Sequence, residues 1–154
     1  MGEQHLISFF VAGHPQTQGS KIVVHRWGPM IGGRPTCRVG MREARGARLV
    51  EWRALIATAA AAAMDGRTKL SGPAEVNLTF FFERPTSHTR AQRSTRYVAA
   101  KSKDDVDKLA RAVNDALTMA AVWEDDGQVA VIHAYKLYAG VGQRAGVRVE
   151  AMSL

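Results

Sequence analysis

The sequence predicts a single α+β domain (in the broader sense α/β), with a mixed β-sheet and two main helices. Two stretches repeat apolar residues every three or four positions, and several short runs alternate or cluster apolar residues in the manner of strands. The chain has 154 residues, 46% hydrophobic and 23% charged, which suits one soluble core.

Leu6 to Ala12 is a short apolar run and reads as a buried strand. Gly13 to Gly19 is full of breakers and reads as a loop. Lys21 to Arg26 and Pro35 to Val39 read as strands around the turn-rich segment Gly28 to Gly33. From Arg42 to Met64 the period becomes helical, through Leu49, Trp52, Leu55 or Ile56, and Ala59, and Asp65-Gly66 ends it. Glu75 to Phe82 is a strand with Val76, Leu78, Phe80 and Phe82 on one face. Arg84 to Lys103 has no clear period. Asp105 to Met119 is a second amphipathic helix, its stripe formed by Leu109, Val113, Ala116 and Leu117. Gln128 to Leu137 and Val147 to Met152 are the last strands. The expected order is β-β-β-α-β-α-β-β.

Charge narrows the function. Lys and Arg number 21 against 14 Asp and Glu, a formal +7 with a pI near 10.1, which favours a polyanionic partner. A membrane is the weaker choice, because the longest apolar run, Ala54 to Met64, is too short to span and is mostly alanine. No secretory signal is visible at the N-terminus, and Leu6 stands where a myristoylation signal needs Ser or Thr. The lone Cys37 can form no internal disulfide and is expected to be plain packing in a strand. A cytosolic location is the default expectation. The histidines His5, His14, His25, His88 and His133 share no metal-ligand spacing, so zinc is not expected. His14 and His88 lie in basic loops where they could touch a phosphate, but loop histidines usually carry no special role, and none is expected of them.

The acids are unevenly spread. Half of them lie between Asp104 and Asp126: Asp104, Asp105, Asp107, Asp115, Glu124, Asp125 and Asp126. The segment just before carries Arg84, Arg90, Arg93, Arg96, Lys101 and Lys103 without one acid, which suits phosphate contact. Asp104 and Asp105 alone could cap a helix, and Glu124 to Gly127 could be a solvated turn. Taken together, clustered carboxylates repel unless a cation shares them. Oxygen ligands select hard ions, Mg²⁺ or Mn²⁺, which polarise phosphoryl oxygens and activate water. A calcium loop fails, because Lys108, Leu109 and Ala110 stand where it needs oxygens and a turn glycine. A helix of about 20 Å and an extended return of similar length can bring Asp126 back beside Asp105 and Asp107. Asp126 could equally face a partner subunit.

Asp105-Val-Asp107-Lys-Leu-Ala-Arg111-Ala-Val-Asn-Asp115-Ala-Leu117, then Val122-Trp-Glu-Asp-Asp126-Gly-Gln128-Val, resembles the signature of RusA-type Holliday junction resolvases. That signature runs Asp-hydrophobic-Asp-Asn-Leu-x-Lys-x-x-x-Asp-Ala-Leu, followed by Trp-x-Asp-Asp-x-Gln-Val. The Gly19-Ser-Lys21 loop and the basic stretch are similar in character only. The resemblance implies that Asp105, Asp107 and Asp126 are the catalytic, metal-binding acids. Arg111 stands at the family's essential lysine and can grip a phosphate with two hydrogen bonds. Lys108 replaces the family's asparagine and adds a cation beside DNA. Asp125 and Asp115 match as supporting acids, Asp115 more as a salt-bridge partner. Lys21, with the six cations above and Lys108, makes up the expected DNA surface. Trp123 is expected to pack under the site, and Trp27 is the better candidate for a wedge at a branch. The resemblance further implies a homodimer that nicks a four-way junction symmetrically in recombination and repair, common in phages and prophages, with Mg²⁺ or Mn²⁺ and no small-molecule cofactor. Two alternatives stay open: a non-catalytic DNA-binding module, and a nuclease for flaps or forks.

Overall fold

Period-two alternation and period-three-to-four stripes become strands and helices in a computed structural model that describes residues 6–19, 21–43, 46–95 and 98–154, leaving aside the side chains of residues 6, 21, 22 and 41–43. In chain order the elements are β1 (Leu6–Ala12), β2 (Lys21–Ile31), β3 (Arg34–Glu43), α1 (Gly46–Met64), β4 (Ala74–Phe82), α2 (Arg90–Ser94), β5 (Val98–Ala99), α3 (Val106–Met119), a 3-10 turn (Asp126–Gln128), β6 (Val129–Tyr138) and β7 (Gly146–Ser153).

Five strands form the main sheet, in the order β1-β7-β4-β6-β5. Among the described residues only β4 and β6 run parallel, and the other neighbours are antiparallel, so the sheet is mixed. A parallel pair needs a crossover, and here α3 lies within it. β4 is the central strand. Its alternate residues Val76, Leu78, Phe80 and Phe82 are all buried, as their spacing requires.

The same buried cluster takes in Trp52 and Ile56 of α1, Leu109, Val113, Ala116 and Leu117 of α3, and Val147 and Val149 of β7. Both long helices thus cover one sheet face. Ile56 is the residue that goes inside, while Leu55 stays exposed.

Two features depart from the sequence reading. The aperiodic segment contains a short helix, α2, capped reciprocally by Thr89 and Gln92, and the two-residue strand β5. Both are too short to show a hydrophobic period. More consequentially, β2 and β3 do not join the main sheet. They form a separate antiparallel ribbon, longer than expected, in which Lys21 pairs with Glu43 and Ile31 with Arg34. Gly32 (φ 58°) and Gly33 (φ 71°) close it, the left-handed pair that a tight hairpin turn needs.

Cys37 lies on this ribbon and is exposed, which corrects the packing expectation. Its strand-like pattern is real, but the strand covers no core. Its Sγ sits 3.5 Å from Nδ1 of His25.

Among the described residues, no helix is long and apolar enough to cross a membrane.

Candidate active site

One stripe of α3 carries Asp107, Ala110, Arg111 and Asn114, at helical spacings of three and four. That stripe turns away from Leu109, Val113, Ala116 and Leu117, which hold the helix on the sheet. Beyond α3 the chain turns sharply at Ala121 (φ 57°). Val122 and Trp123 are buried there, and the Trp123 ring nitrogen donates to Thr118 Oγ1 at 2.7 Å. Trp123 therefore anchors the turn from below, as its place in the sequence suggested. The 3-10 turn then presents Asp126, and β6 adds Ile132 and Ala134 from one strand face.

Val106, Asp107, Ala110, Arg111, Asn114, Asp126, Ile132 and Ala134 line one open pocket of about 510 Å³. Asp107, Arg111 and Asp126 thus meet within a single chain. Arg111 and both acids are exposed.

Asp105 is placed differently. It occupies the N-cap position of α3 but its side chain makes no capping hydrogen bond. Its carboxylate instead accepts from Lys108 Nζ at 2.6 Å, and it is not on the pocket lining. The Lys108 ammonium, by hydrogen bond and by charge, holds the Asp105 carboxyl below the usual aspartate range, with a smaller push from Lys136. The ionised pair therefore persists as pH falls through the ordinary aspartate range and breaks only below it. In a Lys108→Asn variant, the Asp105 midpoint should move up toward the ordinary value. A ¹³C-detected NMR titration of the carboxyl reads this, and an unmoved midpoint would show that Lys108 is not what holds it.

The remaining acids have structural partners. Asp115 pairs with Arg53 of α1 at 3.2 Å and ties the two long helices together. Asp125 caps the 3-10 turn, accepting from Gly127 N at 2.7 Å. Asp104 is buried, and its backbone oxygen accepts from Lys136 Nζ at 2.7 Å.

The expected DNA-contacting cations divide into groups. Arg84 donates to the carbonyls of Ala139, Gln92 and Thr95, and Arg93 to those of His88 and Thr86. Both guanidinium groups shape the 84–95 loop. Arg90, Lys101 and Lys103 are exposed. The Lys21 side chain and Arg96 lie outside the described residues. His88 packs edge-on against Tyr138, and His14 against Phe82.

Sequence reasoning missed three contributors. Asn114 stands seven residues after Asp107, so helical spacing alone could have placed it on the pocket. Its Oδ1 is buried without a hydrogen-bond partner. Gln128 was legible as a motif letter only. Its Oε1 accepts from the backbone N–H groups of Glu124 and Asp125, and its Nε2 donates to the carbonyls of Leu70 and Gly72. Lys136, whose Nζ also reaches the Ser102 carbonyl at 3.3 Å, gave no local signal.

Among the described residues, no three His, Cys, Asp or Glu side chains form a metal-binding group. The donor set nevertheless fits a hard cation of the Mg²⁺ type. Such ions are commonly held by one or two carboxylates together with substrate phosphate oxygens and water, rather than by a complete protein cage. Asp107 and Asp126 supply the carboxylates on that lining.

Two carboxylates and a guanidinium on an open pocket, in a protein of formal charge +7, define a basic α+β protein with a mixed acidic and cationic pocket. The family model of endodeoxyribonuclease RusA matches residues 29–150. The chain belongs to the RusA endodeoxyribonuclease family. Membership implies a DNA endonuclease of the class that resolves Holliday junctions. No curated protein sequence matches the chain.

Proposed function

We propose that this chain is a divalent-metal-dependent endonuclease that acts as a homodimer and cuts four-way junctions by paired phosphodiester hydrolysis. The observation that carries the proposal is the single pocket lined by Asp107, Arg111 and Asp126. Asp107 and Asp126 would hold Mg²⁺ or Mn²⁺. Such an ion supplies Lewis-acid polarisation of the phosphate and lowers the pKa of bound water.

The chain's own residues do the rest. The exposed Arg111 guanidinium reaches a phosphate in two-pronged fashion and offsets the charge that builds on it. Ile132 and Ala134 form the apolar floor beside the acids. Asp105 stands just outside, paired with Lys108, as a third acid adjoining the pocket residues Val106 and Asp107. Symmetric cutting of a junction needs two such sites, which a two-fold dimer provides.

The test is an end-labelled four-way junction incubated with Mg²⁺, Mn²⁺ or EDTA, beside a flap, a fork and a linear duplex. Paired nicks in opposite strands, with 5′-phosphate ends and only with a divalent ion, are expected. A junction left uncut under every divalent ion would overturn the proposal and favour a DNA-binding module. Faster cutting of the flap or fork would move the activity to that substrate.

A further inference from the structure

The β2–β3 ribbon is unexplained by the pocket. Among the described residues it hydrogen-bonds to no other strand, and nearly all its described side chains are exposed. A lone two-stranded ribbon is marginal in water, since neither face has a core to cover. Strands of ten and eleven residues nonetheless extend roughly 35 Å.

The two faces of the ribbon differ chemically. Directly opposed residues share a face, and neighbours along a strand alternate. Arg26 stands opposite Arg38 on one face. Like charges in this position repel, unless an anion lies over them. The other face carries Val23, His25 opposite Val39, and Trp27 opposite Cys37. Trp27 is 72% exposed, which is extreme for an indole with no binding role. Residues 4–42 contain no acid at all, so both faces are open to a polyanion. The match to the family model begins at residue 29, so Arg26 and Trp27 lie outside it.

We propose that this ribbon enters between two arms of a branched DNA, Arg26 and Arg38 contacting the phosphates of one arm while Trp27 stacks on bases exposed at the branch. A two-stranded ribbon has the width of a DNA groove. An arginine pair supplies backbone contacts without sequence preference. An indole offers a π-face to any unstacked base. A linear duplex meets only one face of the ribbon at a time, whereas a branch meets both. The ribbon therefore favours branched over linear DNA. The proposal rests on the junction-endonuclease reading for its substrate, but its test needs no cutting.

The three tryptophans make the test direct. Trp52 and Trp123 are 3% and 1% exposed, so acrylamide reaches Trp27 alone. The full-length protein is titrated in EDTA with a four-way junction or with a linear duplex of the same arm sequence. Fluorescence is read with and without acrylamide, and binding is scored separately by mobility shift. The junction should blue-shift the emission and cut acrylamide quenching several-fold, and the duplex should do so much less. Trp27→Phe should abolish the response while the buried tryptophans report an intact fold. Arg26→Ala with Arg38→Ala should weaken junction binding about tenfold and reduce the salt slope by about two.

A junction that binds, by mobility shift, while Trp27 stays fully quenchable would overturn the proposal. So would a Trp27 already shielded in the free protein and freed by loss of the dimer in sedimentation, because the ribbon would then be a face between two copies. A chain that shields Trp27 on the junction yet never nicks it with Mn²⁺ would sink the nuclease reading and leave this one standing.

Discussion

In an Asp107→Asn protein, four-way junctions should remain bound and uncut. The substitution keeps the shape and removes one of the two carboxylates on the pocket, halving the charge available to a divalent cation. Cutting should fall by about 10³-fold, the upper range for losing one electrostatic element of a preorganised site. Binding should hold or tighten, since a negative charge is taken away from a surface that faces phosphates. Asp107 is exposed in the first turn of α3, so the fold should survive. Quenched-flow or gel cleavage gives the rate and mobility shift gives the affinity. Parallel loss of both, with an altered melting profile, would assign Asp107 a structural role instead.

Gln128→Ala should damage the same site from outside it. The Gln128 amide fastens the acid turn to the segment after α1 through four hydrogen bonds to backbone, and Asp126 lies two residues away. Deleting it strands two N–H donors and two carbonyls. The fold should lose about 1–3 kcal/mol. Cutting should drop about 10²-fold, because a displacement of order 1 Å at a reacting site has that effect. Junction affinity should change little, since Gln128 touches no pocket wall. Gln128→Glu retains the acceptor for Glu124 and Asp125 N–H but loses the donor, so it should fall between the two. Full cutting by Gln128→Ala, measured at a temperature where the variant is folded, would show that the turn holds Asp126 unaided.

The two effects are separable. Asp107→Asn changes charge without stability, and Gln128→Ala changes position together with stability. Combining each with a thermal melt distinguishes a group at the pocket from a group that places one.

Much of the architecture was legible because it is governed by local periodicity. Val76, Leu78, Phe80 and Phe82 alternate, and Leu109, Val113, Ala116 and Leu117 recur by helical turns, so their elements and inward faces follow from spacing. Asp115 was expected as a salt-bridge partner only through its place in the family signature, and nothing local pointed to its partner Arg53. The ribbon was readable as two strands but not as a separate sheet, because alternation marks a strand without saying what it pairs with or covers. Cys37 was misplaced for that reason. Arg84 and Arg93 were read only as cations for DNA, and their hydrogen bonds to the carbonyls of the 84–95 loop and its neighbours had no trace in the sequence.

Composition and motif spacing alone marked a basic protein with two acidic blocks and the signature of its family. Which acids meet was decided only by the tertiary structure. Asp107 and Asp126 converge on one pocket of the same chain, while Asp105 turns to Lys108, and Asn114 and Gln128 join in support. The physical reason is that spacing along a helix is local, but the return of the chain from α3 to β6 is set by burying Val122 and Trp123 and by hydrogen bonds to the distant Leu70 segment. Such long-range packing leaves no periodic trace in the sequence.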